Sequence, residues 1–75
     1  PFSSSTTLEY ELEHYAAVNL TIYNQLGQRV KTLVNEDQSK GRLQVQWNAS
    51  GIPPGVYYCR LKADNQVITK KIIKY

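Results

Sequence analysis

Gly55-Val56-Tyr57-Tyr58-Cys59-Arg60-Leu61 is the stretch on which the fold turns. It follows a stiff lead-in, Ile52-Pro53-Pro54. Apolar side chains stand at both parities, and only Arg60 breaks the run. A strand covered on one side alternates apolar with polar residues. This one reads as the central strand of a small β-sandwich, apolar on both faces. Nothing in it resembles catalytic chemistry.

The neighbouring segments supply partners for that strand. The strand runs on to Ala63. Asp64-Asn65 follows as a two-residue loop, and both residues tolerate positive φ, which predicts a type I′ hairpin. Gln66 to Tyr75 forms the last strand. Val67, Thr69, Ile73 and Tyr75 share one parity while Ile68 and Ile72 share the other, a conflict that a bulge or two-sided burial would resolve. Upstream, Asn48 to Gly55 is dense in turn residues, and its prolines force an extended crossing. Arg42 to Asn48 gives the clearest alternation, with Leu43, Val45 and Trp47 inward. Trp47 is the expected core anchor.

Further back, Arg29 to Asn35 is less regular. It suits an edge strand on which Lys31 discourages unwanted pairing. Glu36 to Lys40 reads as a charged loop ending at Gly41. Val18 to Tyr23 alternates with Val18, Leu20 and Ile22 inward. The three-residue hairpin loop after it needs a left-handed residue at its third position, which Gly27 supplies. Leu26 then sits at a turn tip. Thr6 to Leu12 alternates with Leu8, Tyr10 and Leu12 on one face, and Glu13 to Ala17 connects it onward. Residues 1–5 read as linker and 6–75 as the domain. No segment carries a helical period, and nothing repeats. Six short strands joined by tight turns predict an all-β, immunoglobulin-like antiparallel β-sandwich of six to seven strands.

Length and composition agree. A chain of 75 residues makes one domain and buries only roughly 60% of its unfolded surface, so its core is thin. Hydrophobic residues make up 41% of it, too many for a disordered tail. The single cysteine, Cys59, forms no internal disulfide and reads as a small buried hydrophobe. The net charge of +3 is spread along the chain apart from Lys70, Lys71 and Lys74. That distribution argues against nucleic-acid binding. No apolar run reaches the ~20 residues that a spanning helix needs, so no stable membrane insertion is expected. The first residues carry no secretory signal, and the chain opens abruptly, as a piece of a longer protein does.

Chemistry is sparse. His14 has no second histidine and no nearby cysteine to complete a metal site. Glu9, Glu11 and Glu13 share one strand parity and read as a solvated face rather than an acid–base pair or a Ca²⁺ site. No phosphate-binding, dinucleotide or nucleophile-elbow motif is present. Asn19-Leu20-Thr21 and Asn48-Ala49-Ser50 match the glycosylation acceptor pattern, which matters only in a eukaryotic secretory setting.

Five segments in register nevertheless resemble one family. They are Pro1-Phe2 with Thr6-Thr7-Leu8-Glu9-Tyr10-Glu11-Leu12; Val18 to Val30; Gly41 with Val45-Gln46-Trp47-Asn48; Ile52-Pro53-Pro54-Gly55-Val56-Tyr57-Tyr58; and Thr69-Lys70-Lys71-Ile72-Ile73. Together they are similar to the type A C-terminal sorting domain of the type IX secretion system, whose fold is shared with FlgD-like immunoglobulin domains. Departures are modest: the leading Asn is absent, Asn24 stands where Asp is common, and Cys59 stands where an aromatic or aliphatic residue is common.

The resemblance implies a seven-stranded sandwich and a non-catalytic role without cofactor or metal. Gly27, Gly41, Trp47, Pro54, Gly55, Val56 and Tyr57 are its structural motif residues. It implies a cargo domain on the N-terminal side and a periplasmic stage after a separate signal. Translocon and shuttle proteins then carry the cargo across the outer membrane, and a sortase-like peptidase removes the domain. The cargo ends at the cell surface or outside the cell, in Bacteroidetes-type bacteria. Lys70, Lys71, Ile72, Ile73, Lys74 and Tyr75 are the expected recognition segment, read by strand addition or terminal capture. The rival reading is an immunoglobulin-like accessory module that binds carbohydrate or a neighbouring domain. Tyr23, Tyr58 and Tyr75 are its candidate sugar contacts, although the sequence shows no aromatic row at strand spacing. A flagellar scaffold role is a third reading.

Overall fold

The structure, a computed structural model, describes residues 4–75. Six strands form among them: β1 (Ser5–Leu12), β2 (Ala16–Asn24), β3 (Arg29–Gln38), β4 (Gly41–Asn48), β5 (Gly55–Ala63) and β6 (Gln66–Lys74). All pairings are antiparallel. β1 and β4 make a two-stranded sheet, and the other sheet runs β3-β2-β5-β6. The order corresponds to strands B and E of an immunoglobulin sandwich facing strands C′, C, F and G. The seventh strand is missing among the described residues, where positions A and D are empty.

β5 is central, but not because both its faces are covered. It is hydrogen-bonded to β2 on one side and β6 on the other. Only its inner face is buried, through Tyr57 and Cys59; Val56 and Tyr58 on the outer face are half-buried, and Arg60 and Lys62 are exposed. The apolar outer residues reflect neighbours within the sheet rather than a further layer.

Several boundaries move for identifiable reasons. Ser5 pairs with Asn48, and the amide of Ala49 donates to the carbonyl of Ser4 at 2.7 Å. The domain therefore begins inside the supposed linker, whose residues 1–3 lie outside the described residues. Glu36 to Gln38 are strand rather than loop, pairing with Val18, Ala17 and Ala16. Their polar side chains stay solvated or accept from tyrosines distant in sequence: Tyr15 Oη donates to Asp37 Oδ2 at 3.0 Å, and Tyr10 Oη donates to Gln38 Oε1. β3 looks irregular because its register with β2 shifts twice, leaving Leu33 and Val30 without a cross-strand partner. These bulges turn both half-buried residues onto the core.

The two predicted turns differ in outcome. Gly27 has φ +81°, its amide donates to Asn24 O, and Asn24 N donates to Gln28 O, both at 3.0 Å. This is the three-residue loop with glycine in the left-handed position. The Asn24 carboxamide oxygen accepts from the amides of Leu26 and Gln28, both at 3.0 Å, so it serves as an aspartate would. At the second turn only Asp64 has positive φ, at 54°. That excludes type I′, which needs positive φ at both residues. β6 pairs with β5 without a register shift from Gln66 to Lys74. No bulge resolves its parity conflict; Val67 and Ile68 are simply exposed.

Among the described residues, an aromatic contact joins the two sheets in the core. Trp47 on β4 is 1% exposed. Its ring meets Tyr57 of β5 edge-on, with centroids 5.8 Å apart and planes at 73°. Leu12, Val18, Leu20, Ile22, Val34, Ala49 and Cys59 fill the space around this pair. Tyr57 Oη donates to the carbonyl of Pro53 at 2.5 Å. A tyrosine at the start of strand F, bonded a few residues upstream and two residues before a cysteine, is the tyrosine corner of immunoglobulin-like domains. Pro53 and Pro54 thus fix the crossing, and the hydroxyl ties it to the core. Tyr57→Phe is expected to lower the unfolding free energy by about 1 kcal/mol, measured by urea denaturation. Trp47→Ala is expected to lower it by about 3–5 kcal/mol.

Candidate functional site

The expected recognition segment lies on β6, at one edge of the four-stranded sheet. Its inner face carries Ile68, Lys70, Ile72 and Lys74, opposite Leu61, Cys59, Tyr57 and Gly55 of β5. Its outer face carries Val67, Thr69, Lys71 and Ile73. The two-stranded sheet does not reach over the start of β6. Ile68 is therefore 55% exposed although it lies on the core side.

The segment is not uniform. Lys70 and Lys71 are exposed, Ile72 and Ile73 half-buried, and Tyr75 exposed beyond the last pairing. Lys74 is the exception, buried with its ammonium donating to the carbonyl of Ile52. A buried ammonium needs such an acceptor. The end of β6 is thereby tied to the same crossing that Tyr57 holds through Pro53. Lys74 fastens the segment, and Lys70 and Lys71 are the cations it offers to solvent.

The motif residues do not converge on a site. Trp47 and Tyr57 meet in the core, and Gly55 and Val56 begin β5. Gly27 sits in the β2–β3 turn, Gly41 opens β4 opposite Leu12, and Pro54 is exposed on the crossing.

The remaining candidates stay apart. Glu9 and Glu11 are exposed on β1, and Glu13 lies beyond the strand end. His14 Nε2 and Asp64 Oδ2 approach to 3.1 Å at the surface, linking the β1–β2 corner to the β5–β6 turn. Among the described residues no group of three or more His, Cys, Asp or Glu is placed to hold a metal ion. Nor, among the described residues, is any helix long and apolar enough to cross a membrane. An opening of about 650 Å³ lies between β1 and β6, floored by Leu12, Ala16, Leu61 and Ala63. It lies where an immunoglobulin A strand would pass.

The register assembles one feature that sequence reading missed. Tyr23 faces Tyr58 directly across β2 and β5; Arg29 stands on the far side of Tyr23, and Lys71 on the far side of Tyr58. The sequence shows each residue at an outward parity on its own strand. Which of them stand side by side depends on pairing between strands more than thirty residues apart.

The family model described as the secretion system C-terminal sorting domain matches residues 1–75. No curated protein and no solved structure matches the chain.

Burial pushes the Cys59 thiol up from 9.0 to about 11, opposed by the charge of Lys70. The folded state holds this proton more tightly than the unfolded chain does. Its contribution is full below about pH 9 and falls as pH rises from there toward 11. Urea midpoints measured over that range are expected to drop more steeply for the native chain than for Cys59→Val. Equal slopes would count against a buried, protonated thiol.

Proposed function

The chain belongs to the secretion system C-terminal sorting domain family, and from that premise we propose that it takes a cargo protein through the type IX system by presenting β6 as the element that is read. The family is that of type IX secretion signals, so the protein carrying the chain is secreted or displayed at the cell surface. The finer steps belong to the proposal. The cargo lies on the N-terminal side, and the folded domain is engaged in the periplasm by shuttle and translocon components. The cargo crosses the outer membrane, and a sortase-like peptidase then removes the domain. The chain itself performs no catalysis in this scheme.

The observation that carries the reading is a contrast between the two edges of one sheet. β3 is defended against pairing by two bulges and by Lys31, Glu36 and Asp37. β6 pairs with β5 over nine residues without a shift, and its first six residues are exposed. Lys70 and Lys71 are its only charges before the buried Lys74. A regular edge of this kind suits strand addition, in which backbone hydrogen bonds give affinity and side chains give specificity.

The test fuses the chain to a reporter in a type IX-competent bacterium. Deleting Lys71 to Tyr75 is expected to leave the reporter in the periplasm. That deletion also removes the Lys74 anchor, so the charge-reversal pair Lys70→Glu/Lys71→Glu is needed beside it. Both side chains are exposed and the fold should survive, as circular dichroism of the purified domain would verify. Surface delivery of the pair is expected to fall at least about tenfold. Delivery at the native level would sink the assignment of β6.

A further inference from the structure

The outer face of the four-stranded sheet carries a second, unassigned surface. Its first row crosses all four strands as Arg29, Tyr23, Tyr58 and Lys71. The next row reads Thr32, Thr21, Arg60 and Thr69, and the one after it Asn35, Asn19, Lys62 and Val67. Neighbouring strands stand about 4.8 Å apart, so the two tyrosines occupy adjacent positions in this row with a cation at each end.

The β2–β3 turn closes this row on one side. Tyr23, Asn24, Gln25, Gly27, Tyr58, Arg60 and Thr69 line a shallow cleft of about 360 Å³. Among the described residues, Arg29, Arg60 and Lys71 make no ion pair. No carboxylate lines the cleft. The first acid on this face is Asp37, opposite Ala17, three rows and about 20 Å further along. Thr21 is buried to 2% exposure although its parity points outward, and its hydroxyl donates to Asn19 Oδ1 at 2.6 Å. The face beneath the side chains is thus closed and ordered.

We propose that this cleft and the Arg29–Tyr23–Tyr58–Lys71 row bind a carboxylated oligosaccharide. The proposal does not rest on the sorting role. Two tyrosines lining one cleft offer apolar ring surface against which pyranose rings pack. Gln25 and Thr69 supply amide and hydroxyl groups for sugar hydroxyls, while the Asn24 carboxamide is committed to holding the turn. Arg60 presents a planar fork suited to a carboxylate, with Arg29 and Lys71 adding charge at the ends. An extended peptide fits less well. This is a sheet face whose backbone groups are already paired, so no strand can be added to it.

The test is an NMR titration of the full chain labelled with ¹⁵N, using oligogalacturonate as probe. Its methyl ester keeps the rings and removes the charge; polyglutamate keeps the charge and removes the rings. Oligogalacturonate is expected to move the amide signals of residues 23–27 and 58–60. The ester, polyglutamate, Arg60→Gln and Tyr58→Ala should each weaken binding about tenfold. Tyr58→Leu keeps apolar bulk without a ring and replaces Tyr58→Ala if that variant unfolds. Polyglutamate binding equally well, with Tyr58→Ala and Tyr58→Leu without effect, would make the face a surface for acidic protein and overturn the proposal. So would shifts elsewhere, or no shifts at millimolar probe.

Discussion

The edge-on contact between Trp47 and Tyr57 is the constraint on which this small sandwich depends. The two sheets are unequal, two strands against four, and the smaller cannot cover the larger. Burial is concentrated where β4 overlies β2 and β5. Trp47, Leu20 and Ile22 are the largest side chains buried almost completely there. With a core this thin, the position of one aromatic pair sets the spacing of the layers. Tyr57 also carries the hydroxyl that secures the Pro53–Pro54 crossing. Packing and chain path therefore meet in a single residue.

The sequence discloses most of this architecture through period-two alternation. β2 and β4 declare their inward faces through Val18, Leu20 and Ile22, and through Leu43, Val45 and Trp47. A glycine at the third loop position is enough to place the β2–β3 turn. The misreadings share one physical origin, which is that alternation reports side chains and not backbone pairing. Glu36 to Gln38 look like loop because their side chains are polar, yet their backbone pairs with β2. Val30 and Leu33 blur the pattern of β3 because bulges place them on the core. The Tyr23–Tyr58 row is invisible for the same reason, since it exists only once the register of β2 against β5 is fixed.

The proposed recognition segment is legible as a strand and as a basic tail, but not in its division of labour. Three lysines within five residues look equivalent in sequence. Burial separates them, because the position opposite Gly55 has no side chain across from it. Lys74 can therefore lie over the start of β5 and reach the Ile52 carbonyl. A lysine there costs desolvation, but an ammonium bonded to a backbone oxygen also satisfies a carbonyl on the proline crossing.

The consequence is a strand fastened at its end and open along its first two-thirds. The hairpin turn fixes the start of β6, Lys74 fixes its finish, and β5 supports one side throughout. The free edge between these points is thus held straight and in register before any partner arrives. A peptide that adds to it meets backbone groups already in strand geometry, which lowers the ordering cost of binding. Lys71 also ends the cationic row on the outer face, so an added strand would lie beside that row. Edge and face are distinct surfaces, but Lys71 makes them electrostatic neighbours. An acidic occupant of either would lower the positive potential at the other over roughly the Debye length of 8 Å at physiological salt.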